Sequence, residues 1–192
     1  MPPVDPAERR AEIVSAAFGL LADGGVEAAT MRRVAAAADA TTGRVTHYFG
    51  SRVELLVAAL SEVDRRRVGR IAVHDHLDPA ARLRAVLMER LPLDTRRLDE
   101  VRVWLALAGT NIPEVRDELR DQSVRWDRLV RSLITAARLP DEGTASVAAL
   151  VDGLAVRLTI DSTRRARQTA EAALDAGLAN QAATRTSATN TG

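Results

Sequence analysis

The chain has 192 residues, 46% hydrophobic and 28% charged, with a formal net charge of +1 and no cysteine. That length suits one small and one moderate domain with real cores, and the missing cysteine excludes disulfides, thiolate metal sites and cysteine redox sensing. The near-neutral balance gives no general sign of nucleic-acid binding, so such a role has to rest on a local basic surface. No apolar run approaches the length of a bilayer span, and Met1-Pro2-Pro3-Val4-Asp5 lacks the basic start and apolar centre of a signal peptide, which predicts a soluble, cytoplasmic protein.

Taken in chain order, hydrophobic period and helix punctuation predict an all-α fold of about nine helices and no convincing strand. Asp5-Pro6-Ala7-Glu8 reads as a cap, a proline at the first helical position and an early acid. It opens a helix over 6–23 with Ile13, Ala17, Leu20 and Leu21 inward, closed by Gly24-Gly25. Thr30 caps a short helix whose apolar side is Met31, Val34, Ala35 and Ala38. After only Asp39-Ala40 another begins at Thr41 or Thr42, with Val45, Tyr48 and Phe49 at helical spacing. Ser51-Arg52-Val53-Glu54 is a capping box that starts a long fourth helix to about Val73, with Leu55, Leu56, Ala59, Leu60 and Val63 inward. Further helices are predicted over 78–91, 95–109, 111–138, 143–161 and 163–180, and polar residues 181–192 read as a disordered tail.

Residues 30–52 carry the functional signal. Two short helices across a tight turn bury one side each and leave Thr42, Arg44, Thr46 and His47 projecting, the layout by which a helix enters a DNA major groove. A merely structural helix would place Glu, Lys or Ala there. An arginine, a histidine and hydroxyls suit base edges instead, with Arg44 the best candidate for guanine. Thr30, Thr41, Tyr48, Ser51 and Arg52 are expected on phosphates, with the alternative for Tyr48 that its ring is mostly core. The local charge agrees: Arg32, Arg33, Arg44 and Arg52 stand against Asp39 alone.

These elements, in this order, resemble the TetR family of transcriptional regulators. The resemblance is carried by the Thr30 helix, by Thr42-Gly43-Arg44-Val45-Thr46-His47-Tyr48-Phe49 and by Ser51-Arg52-Val53-Glu54-Leu55-Leu56, and it covers about residues 8–60. Its Gly-Arg-Val-Thr-His-Tyr-Phe version looks most like the BetI-type branch. The family usually has Gly-Val in the turn, an aromatic two residues before the Tyr48 position and a proline before the fourth helix; this chain has Asp39-Ala40, Thr46 and Gly50. The resemblance implies dimerisation through the final helices.

The domain division is expected within the fourth helix, with a helix-turn-helix DNA-binding domain over 6–56 and a helical ligand-binding and dimerisation domain over 57–180. No flexible linker separates them, so a tilt of the shared helix can carry a ligand's effect to the reading helix. The sixth helix, apolar nearly all round, is expected at the centre. Met88, Trp104, Leu107, Asn111, Leu119, Gln122 and Trp126 are candidates to line an effector cavity. The alternative for Met88 and the tryptophans is core filling, and Gln122 on an apolar face is the better pointer. A quaternary ammonium between two indole faces is one ligand chemistry consistent with this composition and with the BetI-type likeness. Small residues let the last two helices approach closely. Ala148, Val151, Gly153, Leu154, Leu158, Ala173, Leu174 and Gly177 are expected at a four-helix interface with a second copy, the alternative being packing on the seventh helix.

Other groups are discounted. His74 and His76, beside Asp75 and Asp78, point to different sides of a helix and read as loop residues rather than metal ligands. Arg65, Arg66, Arg67 and Arg70 read as a solvated face, and Asp152 as a cap, a partner of Arg157 or a contact to the second subunit. No nucleophile elbow, phosphate loop or HExxH pattern is present, so no catalytic residue, cofactor or metal is expected. The resulting expectation is a homodimeric transcriptional regulator, a repressor before an activator, binding double-stranded operator DNA and a small-molecule effector. A ligand-binding dimer that no longer reads DNA and a helical enzyme are the other classes.

Overall fold

Asp5 opens the first helix by accepting the Ala7 N–H on its carboxylate at 3.0 Å, with Pro6 behind it at the first helical position. The computed structural model describes residues 5–141 and 143–189, and among these it forms nine α-helices, one 3-10 turn and no strand. The helices are α1 (Pro6–Ala28), α2 (Met31–Ala37), α3 (Thr42–Tyr48), α4 (Arg52–Ile71), α5 (Pro79–Met88), α6 (Thr95–Ala108), α7 (Pro113–Ala136), α8 (Gly143–Ile160) and α9 (Arg164–Thr189), with the 3-10 turn at Ala72–His74. The closure expected at Gly24-Gly25 is a break inside α1: Gly25 takes φ 66 and ψ −165, which only glycine adopts readily. α5 stops short of Leu91, because the residue before Pro92 is driven out of the helical region. α9 runs to Thr189 although disorder was expected beyond Asn180; neither glycine nor proline interrupts residues 181–189. The first four residues and the last three of the expected tail lie outside the described residues.

The chain forms two compact units, and it passes between them within α4, α6 and α7. The first comprises residues up to Arg66 together with Arg102–Asp121. Its core joins Ile13, Ala17, Phe18 and Leu21 of α1 to Val34, Val45 and Phe49, to Leu55, Leu56, Ala59 and Leu60 of α4, and to Val103, Leu107 and Val115. By packing, therefore, this unit extends beyond residues 6–56 along α4 and takes in the end of α6 and the start of α7.

The second unit comprises Arg67–Val101 and the residues from Gln122 onward, around Leu83, Val86, Leu87, Leu91, Trp126, Val130, Leu133, Ile134, Val147, Val151, Leu158 and Leu174. Close approach of α8 and α9 follows from small residues: a Cβ on Gly177 would stand 2.6 Å from the Leu150 side chain. α6 is less enclosed than its sequence suggests. Its buried residues are Leu98, Glu100, Val103 and Leu107, while Arg102 and Ala108 are exposed. α8, conversely, is long and apolar enough to cross a membrane, although no run of that length was expected. One of its sides, Val147, Val151, Ala155 and Leu158, is nevertheless committed to the core of its own unit.

The arginine run on α4 is a solvated face only at Arg65. Arg65 and Arg66 both reach Glu62, at 2.6 and 2.8 Å. In the second unit Arg67 is buried, and Arg70 donates to Glu89 at 2.7 Å and to both oxygens of Glu100 at 2.7 and 2.6 Å. Spacing explains this: residues 67 and 70 are three apart and share a side of the helix. His74 joins the same group, its Nε2 3.3 Å from Glu89, and Asp152 pairs with Arg90 at 2.7 Å rather than with Arg157. No group of three or more metal-ligating side chains occurs among the described residues.

Candidate nucleic-acid interface

Three hydroxyls order the helix starts of the first unit. Thr30 Oγ1 accepts the Arg33 N–H at 3.3 Å, Thr41 Oγ1 accepts that of Arg44 at 3.2 Å, and Ser51 Oγ accepts that of Glu54 at 3.1 Å. Each such cap is worth about 1 kcal/mol. That matters most for α2 and α3, which at 7 residues each are far too short to be helical alone. The Glu54 carboxylate reaches back to the Gly50 N–H at 2.8 Å, one residue earlier than a capping box requires. Between α2 and α3 Asp39 takes a left-handed φ of 46, which aspartate tolerates better than most residues. The tight turn therefore forms without glycine.

α3 divides into an inner and an outer side. Val45 and the following Phe49 are fully buried, while Thr42, Arg44, Thr46 and His47 are all exposed. The Thr46 hydroxyl turns back on its own helix, donating to the carbonyls of Thr42 and Gly43 at 3.2 and 2.9 Å. Tyr48 is half-buried against the core, and its ring meets that of His47 edge-on at 5.4 Å, so the core alternative accounts for part of it. Of the residues expected on phosphates, Thr41 and Ser51 are exposed and Thr30 is half-buried.

Arg52 is placed differently from that expectation. Its Nε donates to the Ala29 carbonyl at 3.0 Å and its Nη2 to the Val26 carbonyl. These are carbonyls at the end of α1, where a helix leaves its acceptors unpaired, so Arg52 ties α1 to α4. Two further arginines support the unit: Arg10, which the sequence did not single out, and Arg66, which it placed on a solvated face. Arg10 lies 4.7 Å from the Phe49 ring centre and Arg66 4.1 Å from that of Phe18. Such contacts depend on which helices meet, and no spacing announces them.

The residues expected around an effector fall in both units. Trp104, Leu107 and Leu119 pack with the first core; Met88 and Trp126 pack with the second, where Gln122 is also buried. Asn111 is exposed and accepts from Arg116 at 3.1 Å. The Trp126 ring has guanidinium groups of its own unit on it, Arg67 at 5.3 Å and Arg90 at 5.0 Å from the ring centre. Those cations hold the aromatic surface that a quaternary ammonium would need.

The residues expected at a dimer interface separate as well. Val151, Leu158 and Leu174 fill the core of the second unit, with Leu154 packed against it, while Gly153 is exposed. Gly177 serves the contact with Leu150 inside the chain, and Ala148 and Ala173 are half-buried. Of the expected residues only Gly153 lies on the exposed apolar stripe at helical spacing, which otherwise comprises Ala145, Ala149, Val156 and Ile160 on α8, with Ala172, Ala176, Ala179 and Ala183 on α9. α8 is apolar on nearly every side, so its period does not say which side turns inward.

Residues 13–59, which contain this caps-and-turn arrangement, match the family described as bacterial regulatory proteins, tetR family, and residues 79–183 match the BetI-type transcriptional repressor C-terminal domain. The regulator BetI of Burkholderia thailandensis is 32% identical over 78% of this chain and 80% of its own. A transcriptional regulator of Rhodococcus sp. Rha1 superposes with a TM-score of 0.82 at 26% identity, covering 90% of this chain and 95% of that one. A regulator of Saccharomonospora viridis, solved in complex with choline, has the same fold, with a TM-score of 0.76 at 22% identity over 88% and 94% of the two chains. The chain belongs to the TetR family, in its BetI-like branch, and is a DNA-binding transcriptional regulator rather than an enzyme.

Proposed function

We propose that this regulator acts in the cytoplasm as a homodimeric repressor that holds a palindromic operator and is released by a small molecule. The observation that carries the reading is the division of α3. Val45 and Phe49 anchor it at zero exposure, so Thr42, Arg44, Thr46 and His47 are presented on a firmly seated helix. Arg44 offers the fork of donors that matches guanine O6 and N7. Thr30, Thr41 and Ser51 use their oxygen lone pairs for capping, which leaves each hydroxyl proton for a phosphate oxygen. One short helix reads too few base pairs for selectivity, and a second copy supplies the other half-site. The exposed stripe of α8 and α9 suits that second copy, because small side chains on both helices permit close four-helix packing.

The choline complex of the Saccharomonospora protein makes quaternary amines the first effectors to screen. Trp126 is not the box that would hold one, since Arg67 and Arg90 already stand on its ring. The test is titration of the purified protein into duplexes from its own upstream intergenic region and into scrambled duplexes, at several salt concentrations. Selective, salt-dependent binding by one dimer per palindrome is expected, with a fall in affinity on adding effector. Equal affinity for operator fragments recovered genome-wide and for scrambled DNA would remove the reading.

A further inference from the structure

The hydroxyl of Thr46 is committed differently from the three capping hydroxyls of the interface. Thr30, Thr41 and Ser51 accept from a backbone N–H and retain a proton to donate. Thr46 spends its proton instead, on the Gly43 carbonyl at 2.9 Å with the Thr42 carbonyl at 3.2 Å. A threonine hydroxyl has one proton. Phosphate oxygens and the guanine O6 and N7 edge are acceptors only, so this side chain has nothing to donate to either. With the oxygen drawn toward the helix backbone, the γ-methyl is the side-chain group that the exposed Thr46 has left to offer a base. The only methyl group on a major-groove base edge is the C5-methyl of thymine.

We propose that Thr46 is a specificity residue that selects thymine in each half-site by methyl-to-methyl contact, and that it makes neither a phosphate nor a guanine contact. The inference rests on the reading of α3 as the base-reading helix. It separates the work of the helix: Arg44 supplies donors, and Thr46 supplies apolar surface one turn above Thr42. The position is also free to vary without disturbing the fold, since Thr46 is exposed and the core below it belongs to Val45 and Phe49.

The experiment begins with selection of bound sequences from a random duplex pool by the full-length protein. Each thymine of the enriched half-site is then replaced by uracil, which removes only the C5-methyl. Wild type, Thr46→Val and Thr46→Ser are compared on these duplexes, after thermal unfolding has shown all three folded. One uracil position is expected to weaken wild type about fourfold per half-site, the equivalent of one buried methyl group. Thr46→Val keeps the methyl and is expected to keep both affinity and the thymine preference. Thr46→Ser keeps the hydroxyl, and is expected to bind more weakly and to treat thymine and uracil at that position alike. Loss of the preference in Thr46→Val, or its survival in Thr46→Ser, overturns the proposal while leaving the DNA reading intact. A pool in which wild type enriches no sequence overturns the DNA reading, and this proposal with it.

Discussion

The Nε of Arg52, at the start of α4, donates to the carbonyl of Ala29 at 3.0 Å, beyond the end of α1. With the second bond to Val26, it fixes the helix that follows the reading motif to the one that precedes it. Hydrogen bonds to a charged donor are worth about 1.5–3 kcal/mol each, and Arg52 is partly exposed, so the lower figure applies. Arg52→Ala removes both bonds and is expected to cost DNA-free protein about 3 kcal/mol in urea unfolding, and to weaken operator and random duplex together. Unchanged stability with a salt slope lower by roughly one ion per subunit would return Arg52 to the phosphates.

Local chemistry is what the sequence made legible. The caps at Thr30, Thr41 and Ser51 and the buried side of α4 follow from neighbours within one turn and are found as expected, whereas the glycines at 24 and 25 interrupt α1 without ending it. Arginine destinations were not legible. Arg52, Arg67 and Arg70 carry long side chains with five donors each, and their partners lie on other helices. Nor could periodicity orient α8, where core residues Val151 and Leu158 and exposed residues Gly153 and Val156 are all small or apolar.

Arg44 and Thr41 meet through the cap, yet the Arg44 side chain remains exposed. Truncation should therefore spare the fold and remove a bidentate guanine contact. Arg44→Ala is expected to cost about 1–3 kcal/mol per half-site on the selected operator, with relaxed preference at one base pair. Random duplex should be affected far less. Equal loss on both would reassign Arg44 to the backbone.

Arg70 and Glu100 form a two-pronged pair at 2.7 and 2.6 Å, with Glu100 5% and Glu89 8% exposed. The guanidinium stays charged throughout the working range, because burial, which opposes the charge, is outweighed by the bonds it donates to Glu100 and Glu89, and its pKa is pushed up. Arg70→Ala leaves two buried carboxylates short of their main cation, for which about 3 kcal/mol of destabilisation is expected. Arg70→Met combined with Glu100→Leu should recover part of that loss, since apolar groups need no partner. Urea unfolding of both variants measures this, and a double variant no more stable than Arg70→Ala would show that the two residues are not coupled.

Glu62 is the shared acceptor of two neighbouring arginines on α4. Its hydrogen bond from Arg65 holds the carboxyl below the ordinary glutamate range, aided by Arg66 and opposed by partial burial. A depressed folded-state pKa contributes stability that is present above the unfolded pKa and is lost as pH falls through the folded one. Glu62→Gln should therefore be less stable than wild type at neutral pH, and the difference should shrink as the pH is lowered past the carboxylate range. A difference that stays constant down to pH 3 would mean that packing rather than charge is at stake.

Gly153 sits in the exposed stripe of α8, where an added Cβ would meet nothing within 4 Å of it. Within a single chain, replacing a mid-helix glycine by a better helix former stabilises by up to about 1 kcal/mol. At a close helix contact between two copies, a long charged side chain should instead force the helices apart and bury an unpaired charge. Gly153→Glu is accordingly expected to fold at least as well as wild type yet sediment as a monomer at concentrations where wild type is a dimer. It should lose operator affinity in the same measure, because one half-site alone binds weakly. Gly153→Ala controls for helix propensity, and should leave a dimer or loosen it only slightly. A Gly153→Glu protein that remains fully dimeric would show that the second copy docks on some other surface, and α8 would then need a different partner for its apolar side.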